Sequence, residues 1–243
     1  LIRRKDGIKA GAHKGLIIVD CSTADPTSTQ DLADELAPLG VRLIDAPLGR
    51  SPKEAEEGLL NTFVGADAKT LKDVRPIIET WAENIIHVGP VGAGHKMKLV
   101  NNFVAMSYVA IYAEAFTTAK KTGVPLYKFH EVISAGGLNS GMFQNVCKWV
   151  IGGDPKAHEF TLANCDKDIR YYNQLADSER LTAVVGSAVK QSYAMAMAMG
   201  RGADNMPMLA DAVANFNGIT IQPESRRTGK KPAKKKAAKK KKK

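Results

Sequence analysis

The sequence predicts an α/β portion followed by an all-α portion, and three observations support this fold class. Short apolar runs alternate with helical periodicity in the first part of the chain. A long apolar segment without Gly or Pro then covers residues 95–121. Beyond it, only helical patterns separated by Gly and Pro remain, so the long segment is expected to join the two portions.

The first portion is predicted to be part of a doubly wound sheet. Residues 16–20 and 41–45 are apolar runs typical of strands buried on both faces. Between them, Asp25 and Pro26 are typical of a helix start, and leucines follow at helical spacing before Gly40. This order predicts a parallel strand pair with a right-handed crossover. Further along, the sequence predicts a strand at 59–64, a helix at 69–81 and a strand at 85–88.

The second portion is predicted to be helical throughout. In residues 95–121 apolar side chains occupy nearly every face, which indicates a buried helix. No strand pattern is evident between residues 121 and 218, and helix breaks are predicted at 123–125, 136–137, 152–155, 177–178 and 200–202. We therefore expect three segments: a sheet portion at 1–92, a helical domain at 93–219 and a disordered tail at 220–243.

The net charge of +10 comes from the tail. Residues 230–243 contain ten lysines and no acid, so 35 basic and 25 acidic residues become 25 of each in residues 1–229. Such a tail can bind DNA, RNA or another polyanion weakly and in a salt-sensitive manner, or it can simply increase solubility. The neutral body carries no base-reading pattern, so both alternatives stay open for the tail alone.

Several other functional classes are disfavoured by the composition. The cysteines (Cys21, Cys147 and Cys165) and the five histidines form no zinc spacing, so no metal is expected and a reducing compartment is indicated. The first residues are charged, and no apolar run reaches the length of a membrane span. The sequence thus predicts a cytoplasmic protein without a membrane partner.

The glycine-rich segment from Gly89 to Lys98 has three interpretations. A phosphate-binding P-loop is excluded because His95 stands where Lys is required. A dinucleotide fingerprint is disfavoured because Met97 occupies the third small-residue position and no second strand follows. In the third interpretation, Lys98, Asn101 and Asn102 project from one side of a buried helix as a candidate site. The alternative is that Lys98 extends to solvent and the asparagines pair with backbone.

Four motifs resemble those of the β-hydroxyacid dehydrogenase family, which includes 3-hydroxyisobutyrate dehydrogenase and tartronate semialdehyde reductase. Residues 92–102 are similar to its GxGxxxKxxxN signature, and residues 20–23, Asp-Cys-Ser-Thr, to its DxST turn. Asp45-Ala46-Pro47 resembles the start of its substrate loop, and Lys167-Asp168 its KD pair. The motifs follow family order over residues 16–218. The resemblance implies a partial Rossmann-type sheet joined by a long helix to a C-terminal helical domain.

The same resemblance implies an NAD- or NADP-dependent oxidoreductase and assigns roles to particular residues. Lys98 would exchange a proton with the substrate oxygen, and a desolvated lysine suits this role because its pKa falls toward neutrality. Asn102 would orient the substrate, with Asn101 as a weaker candidate. Four residues would contact the cofactor: Ser22, Thr23, Lys167 and Asp168. A homo-oligomer formed through the helical domain is also implied.

The substrate loop departs from the common family sequence DAPVSGG. Gly49, Arg50 and Ser51 replace Ser-Gly-Gly, as in the similar loop of sulfolactaldehyde reductases. An arginine fork binds anions with two parallel hydrogen bonds, so we favour a three-carbon aldehyde with a sulfonate group as substrate. The alternatives are a carboxylate semialdehyde, as used by the two enzymes named above, and a solvated loop charge at Arg50.

Family members begin with a GxGxxG turn, and this sequence contains none at a usable position. We therefore expect the 243-residue chain alone to bind the cofactor poorly and to be incomplete for activity. The residue that distinguishes NAD from NADP belongs to the same missing unit. The rival hypothesis of another class is an inactive remnant that acts as a scaffold or binds polyanions through its tail.

Overall fold

The computed structural model describes residues 1–221, and its first part is a five-stranded sheet. All five strands lie within the first 89 residues: β1 (Ile17–Asp20), β2 (Arg42–Asp45), β3 (Leu48–Gly49), β4 (Leu60–Gly65) and β5 (Ala82–Gly89). β1 and β2 pair in parallel, as predicted from the strand-helix-strand order. β4 and β5 form a second parallel pair.

The two parallel pairs meet at one antiparallel contact. Asp45 at the end of β2 pairs with Gly65 at the end of β4, and the short β3 runs antiparallel along β4. The carboxyl ends of β2, β4 and β5 therefore lie together. This edge is where the long helix begins, after Gly92.

Three helices accompany the sheet, α1 (Pro26–Leu36), α2 (Pro52–Glu56) and α3 (Ala68–Ile78). Asp25 caps α1 by accepting a hydrogen bond from the backbone N–H of Thr27, 3.0 Å away, with proline at the first helical position as predicted. Asp67 caps α3 in the same way, through the N–H of Thr70 at 2.9 Å.

The remainder of the described chain is helical, as predicted. It comprises α4 (Ala93–Lys121), α5 (Leu126–Ser134), α6 (Gly141–Val150), α7 (Leu162–Ser178), α8 (Val184–Ala198) and α9 (Leu209–Phe216). Helices α5 to α9 all contact α4. The large side chains that are fully buried there include Phe116, Phe143, Leu162, Ile169 and Tyr193.

By length and composition alone, helix α4 is long and apolar enough to cross a membrane. The sequence analysis found no apolar run of that length, so this property of α4 was not predicted. Half of its most apolar stretch is buried inside the protein. Leu99, Met106 and Val109 are among the buried side chains of α4. The composition of α4 thus suits a helix at the centre of a fold, against which both the sheet and the other helices pack.

The structure departs from the sequence prediction at several local points. β3 and α2 occupy the segment predicted as an irregular substrate loop, and a short 3-10 helix at Ile8–Gly11 was not predicted. By contrast, helix α7 ends at Ser178, at the break predicted for residues 177–178. The hydroxyl of Ser178 donates to the carbonyl of Leu175 at 2.8 Å, so it bonds within the last turn of the helix.

Two expectations about the ends of segments keep their status as predictions. The Lys-rich run and its predicted disorder fall on residues 222–243 and lie outside the described residues. The domain boundary at residues 92 and 93 is placed at the start of α4. It stays a prediction because α4 contacts both portions.

Candidate active site

Polar groups from three separate elements, including one backbone carbonyl, meet beside the first half of α4. Lys98 and Asn102 come from α4 itself, one helical turn apart. Lys167 and Asp168 come from α7, and the turn that follows β1 supplies Thr23. The turn after β1 lies within reach of α7, because the ammonium of Lys167 donates to the carbonyl of Thr23.

Lys98 is partly buried, and its ammonium group makes no hydrogen bond or ion pair with any residue in the described range 1–221. Burial lowers the pKa of Lys98, because water is no longer available to solvate the charge. Of its two charged neighbours, Asp168 opposes the shift and Lys167 adds to it. Lys98 is therefore a partly desolvated base whose proton-exchanging atom is not committed to another side chain.

Asn102 is buried and is fixed by a hydrogen bond between the two helices. Its Nδ2 donates to Oδ2 of Asp168 at 2.7 Å, and its Oδ1 accepts from Nδ2 of the exposed Asn101 at 3.3 Å. Asp168 is 1% exposed, so this bond lies in a poorly solvated environment and strongly restricts the rotation of the amide.

Lys167 connects α7 to the turn after β1. Its Nζ lies 2.9 Å from Oδ1 of Asp168, at an angle that forms an ion pair without a hydrogen bond. The same ammonium donates to the carbonyl of Thr23 at 3.3 Å and lies 5.4 Å from the ring centre of Tyr171. Ser22, which precedes Thr23 in this turn, is exposed, and its backbone N–H donates to the carboxylate of Asp20.

The predicted substrate loop is ordered by contacts of its own. Gly49 is buried and pairs with Asn61, while Ser51 caps α2 through reciprocal hydrogen bonds with Glu54. Arg50 adopts a left-handed conformation, with φ of 77°, which is unfavourable for any residue other than glycine.

The guanidinium of Arg50 makes its hydrogen bonds at the amino ends of β4 and β5. Its Nη1 donates to the carbonyl of Leu59 at 2.5 Å and to Oε2 of Glu83 at 2.6 Å. Lys98 and Asn102 follow from the opposite, carboxyl ends of these strands, where α4 begins. The arginine fork is thus tied to a carboxylate of the protein itself, and an anionic substrate would have to compete with Glu83 for it.

Sequence reasoning named Asp45 as part of the substrate loop and His95 in the P-loop comparison, but missed that both hold the start of α4. Asp45 accepts hydrogen bonds from two backbone N–H groups of this helix end, and His95 is fully buried, with Nδ1 2.7 Å from the hydroxyl of Thr29. The available signal was a carboxylate closing an apolar strand, together with a helix whose N-cap, Gly92, has no side chain to cap it.

The residues present fit the nicotinamide end of a dinucleotide. Ser22 is exposed after β1, and the ammonium of Lys98 has no hydrogen-bond partner within residues 1–221. Lys167, which is paired with Asp168, contacts the same turn as Ser22. Hydroxyl, ammonium and carboxylate groups match the amide and ribose hydroxyls of such a ligand. No cluster of three metal-ligating side chains occurs in the part of the chain that the structure describes.

Comparison with protein families gives two adjoining matches. Residues 92–211 match the family model described as NAD-binding of NADP-dependent 3-hydroxyisobutyrate dehydrogenase. Residues 1–89 match the NAD binding domain of 6-phosphogluconate dehydrogenase. The boundary between the two matches falls between Gly89 and Gly92, at the start of α4.

Several similar individual proteins have the names of oxidoreductases. The chain is 27% identical to 2-(hydroxymethyl)glutarate dehydrogenase of Eubacterium barkeri, over 88% of this chain and 71% of that protein. It is 26% identical to 3-sulfolactaldehyde reductase of Escherichia coli, over 90% of this chain and 73% of that one. Among solved structures, 3-hydroxyisobutyrate dehydrogenase of Mycobacterium tuberculosis with L-serine has a TM-score of 0.75 and 28% identity, covering 83% of this chain and 71% of that one.

Proposed function

Because this chain belongs to the 3-hydroxyisobutyrate dehydrogenase-like family of NAD(P)-dependent β-hydroxyacid dehydrogenases, we propose that Lys98 is the residue that exchanges a proton with the substrate oxygen. The observation that carries this role is the partly buried ammonium of Lys98, which has no hydrogen-bond partner in residues 1–221 and lies one turn from Asn102. Leaving a partly buried charge without a partner costs free energy. A role in catalysis explains why the protein keeps such a group here.

Lys98 has opposite tasks in the two directions of the reaction. The nicotinamide cofactor, when bound, supplies or accepts the hydride. In reduction the ammonium of Lys98 donates its proton to the carbonyl oxygen, and in oxidation the neutral amine accepts the proton of the hydroxyl group. Burial lowers the pKa of Lys98 in the direction of cellular pH, so that more of the neutral form is present beside the charged form. A proton-exchanging group works best when its pKa is near the working pH.

We assign Asn102 to substrate orientation and Asn101 to a weaker contact beside it. An amide carries two N–H bonds, and only one of those of Asn102 is used by Asp168 within residues 1–221. Ser22, Thr23, Lys167 and Asp168 are proposed to hold the nicotinamide end of NAD or NADP. The Lys167–Thr23 hydrogen bond supports this, because it joins α7 to the turn after β1.

We propose a small anionic aldehyde, or the matching hydroxyacid, as substrate. A sulfonated three-carbon aldehyde is the first candidate, supported by the Gly49-Arg50-Ser51 loop and the relative named 3-sulfolactaldehyde reductase. A carboxylate semialdehyde, as in 3-hydroxyisobutyrate dehydrogenase or tartronate semialdehyde reductase, is the second. The pairing of Arg50 with Glu83 weakens the argument for the sulfonate but does not itself select a carboxylate, since the guanidinium is already paired within the protein.

We also propose that the protein is a homo-oligomer. One face of α4 exposes an apolar stripe, made of Met97, Val100, Val104, Tyr108 and Ile111, each between 43% and 58% exposed. Contiguous exposed apolar surface of this kind is typical of an interface.

The proposed role of Lys98 is tested by turnover of the full-length protein with a panel of sulfonated and carboxylated aldehydes and both cofactors. We expect Lys98→Ala to lower kcat at least about 100-fold, the usual scale of general acid–base catalysis. Lys96→Ala is the matched control, because Lys96 lies two residues earlier on the same helix, is exposed and pairs with Glu179. If Lys98→Ala keeps a kcat within about threefold of the wild type, the assignment is wrong.

The substrate anion is tested with Arg50→Ala and Glu83→Gln side by side. If Arg50 binds the anion, Arg50→Ala raises KM for the sulfonated aldehyde more than about threefold, whereas Glu83→Gln frees the guanidinium and leaves KM equal or lower. If Arg50 instead holds the loop in shape, both variants raise KM together, for carboxylated and sulfonated substrates alike. That second pattern would rule out Arg50 as the anion anchor.

A further inference from the structure

Asp45 is the last residue of β2, and its carboxylate is completely buried against the start of α4. Both oxygens accept hydrogen bonds from backbone N–H groups of this helix end, Oδ1 from Gly92 at 2.6 Å and Oδ2 from His95 at 2.7 Å. Asp45 precedes these residues by 47 and 50 positions, so the contact is tertiary and links the sheet to the helix.

Helix α4 depends on this carboxylate because it has no cap of its own. Its N-cap is Gly92, with φ of 90° and no side chain to accept a hydrogen bond. The first N–H groups of any helix lack intrahelical partners, and the helix end carries partial positive charge. A buried carboxylate satisfies both needs, so the position of Asp45 determines where α4 starts.

Two glycines enclose the carboxylate and leave it no room to move. A Cβ atom at Gly65 would lie 2.3 Å from Oδ1 of Asp45. A Cβ atom at Gly94 would lie 2.8 Å from Oδ2 of Asp45 and 2.3 Å from the carbonyl oxygen of Phe63. The first turn of α4 therefore packs directly against the ends of β2 and β4, at a separation that only glycine permits.

The buried ring of His95 gives this turn a second attachment. Its Nδ1 lies 2.7 Å from the hydroxyl of Thr29 on α1 and 4.0 Å from Oδ2 of Asp45. The first turn of α4 is thus attached to β2 through Asp45 and to α1 through His95. The two attachments restrict both its position along the helix axis and its rotation about that axis.

We infer that Asp45 is a positioning residue for Lys98, an inference that rests on the proposed function of Lys98. Lys98 follows Gly94 by four residues, about one turn and about 6 Å along the helix axis, and Asn102 follows by one turn more. With the start of α4 fixed in height and rotation, these side chains face Asp168 and Lys167. Asp45 thereby acts on the reaction through the helix, without touching the substrate.

The test is the substitution Asp45→Asn in the full-length protein. The amide that replaces the carboxylate would keep the shape of the side chain but could accept only one of the two backbone hydrogen bonds, because its NH2 group would face the other N–H. The matched control is Asp67→Asn, since Asp67 caps α3, which carries no site residue. Three properties are measured: thermal unfolding, kcat and KM, and the pKa of Lys98 by competitive acetylation followed by peptide mass spectrometry.

If Asp45 positions Lys98, Asp45→Asn lowers kcat about tenfold or more with KM within about threefold, and the pKa of Lys98 rises toward that of an exposed lysine. Asp67→Asn lowers the unfolding temperature only. The inference is overturned if Asp45→Asn reduces the unfolding temperature as Asp67→Asn does, yet leaves both kcat and the pKa of Lys98 unchanged.

A second variant covers the case in which Asp45→Asn does not fold. Gly94→Ala keeps the carboxylate but forces the helix away from the sheet, and we expect the same loss of kcat and the same rise of the Lys98 pKa. Unchanged values in Gly94→Ala would also overturn the inference. A failure of the proposed function would give a different result. In that case Lys98→Ala would keep its activity, even though Asp45→Asn alters the pKa of Lys98.

Discussion

Lys98 lies where burial disfavours its charge, and the direction of the resulting pKa shift has consequences for the reaction. Burial lowers the pKa, and of the nearby charges Asp168 raises it while Lys167 lowers it. At a given pH below the pKa of a free lysine, the fraction of neutral amine is therefore larger for Lys98 than for an exposed lysine. Oxidation, which needs the neutral amine, is therefore expected to gain rate as pH rises through this pKa, and reduction to lose rate over the same range.

The pattern of single residues identified some parts of the candidate site and could not identify others. The i, i+4 spacing of Lys98 and Asn102 shows directly that they share one side of a helix. The hydrogen bond between Asn102 and Asp168, 66 residues further along the chain, has no local signature and was not predicted, and Asp168 itself was named only through the resemblance to a family. The left-handed φ of Arg50 and its pairing with Glu83 were not predictable, because tertiary contacts 33 residues away stabilise them.

At the scale of elements, long and periodic segments were predicted best. The strands predicted at 16–20 and 41–45 are observed at Ile17–Asp20 and Arg42–Asp45, because each is a continuous apolar run. Burial on both faces was expected for both strands, but in β1, at the edge of the sheet, only Ile18 is buried. The two-residue strand β3 and the five-residue helix α2 were missed, since neither is long enough to show a period. Their shape comes from pairing with β4 and from the Ser51–Glu54 capping contacts.

The start of α4 illustrates how an element can depend on a distant residue. Residues 95–121 were predicted as helical from their apolar pattern, and the observed helix begins two residues earlier, at Ala93. The glycines at 92 and 94 obscured this beginning, because glycine disfavours helix interiors. The backbone hydrogen bonds to Asp45 stabilise the first turn here, which no local pattern could indicate.

At the scale of the whole molecule, α4 connects the two portions. Helix α4 packs on β4 and β5 of the sheet and on helices α5 to α9. The Lys167–Thr23 hydrogen bond forms a second connection between the portions, beside the candidate site. The α/β-then-α order was predictable from composition and periodicity, whereas the way the two portions face each other follows from these contacts.

The apolar stripe on α4 gives a prediction about assembly. If Met97, Val100, Val104, Tyr108 and Ile111 meet a second copy, analytical ultracentrifugation should show an oligomer for the wild type and a monomer for the double variant Val104→Glu/Ile111→Glu, because charge is costly in an apolar interface. Val132→Glu is the control, since Val132 is an exposed apolar residue on α5, outside the stripe. A wild-type protein that sediments as a monomer would contradict the proposed oligomer.

The proton-exchanging role of Lys98 is tested most directly by the pH dependence of kcat for hydroxyacid oxidation in the full-length protein, compared with Lys98→Arg. We predict that the wild-type rate rises through an ionisation whose pKa lies below that of an exposed lysine. In Lys98→Arg this ionisation should disappear and kcat should fall at least about 100-fold, because a guanidinium stays protonated over the whole range. A Lys98→Arg enzyme with the same pH profile and a comparable rate would contradict the account.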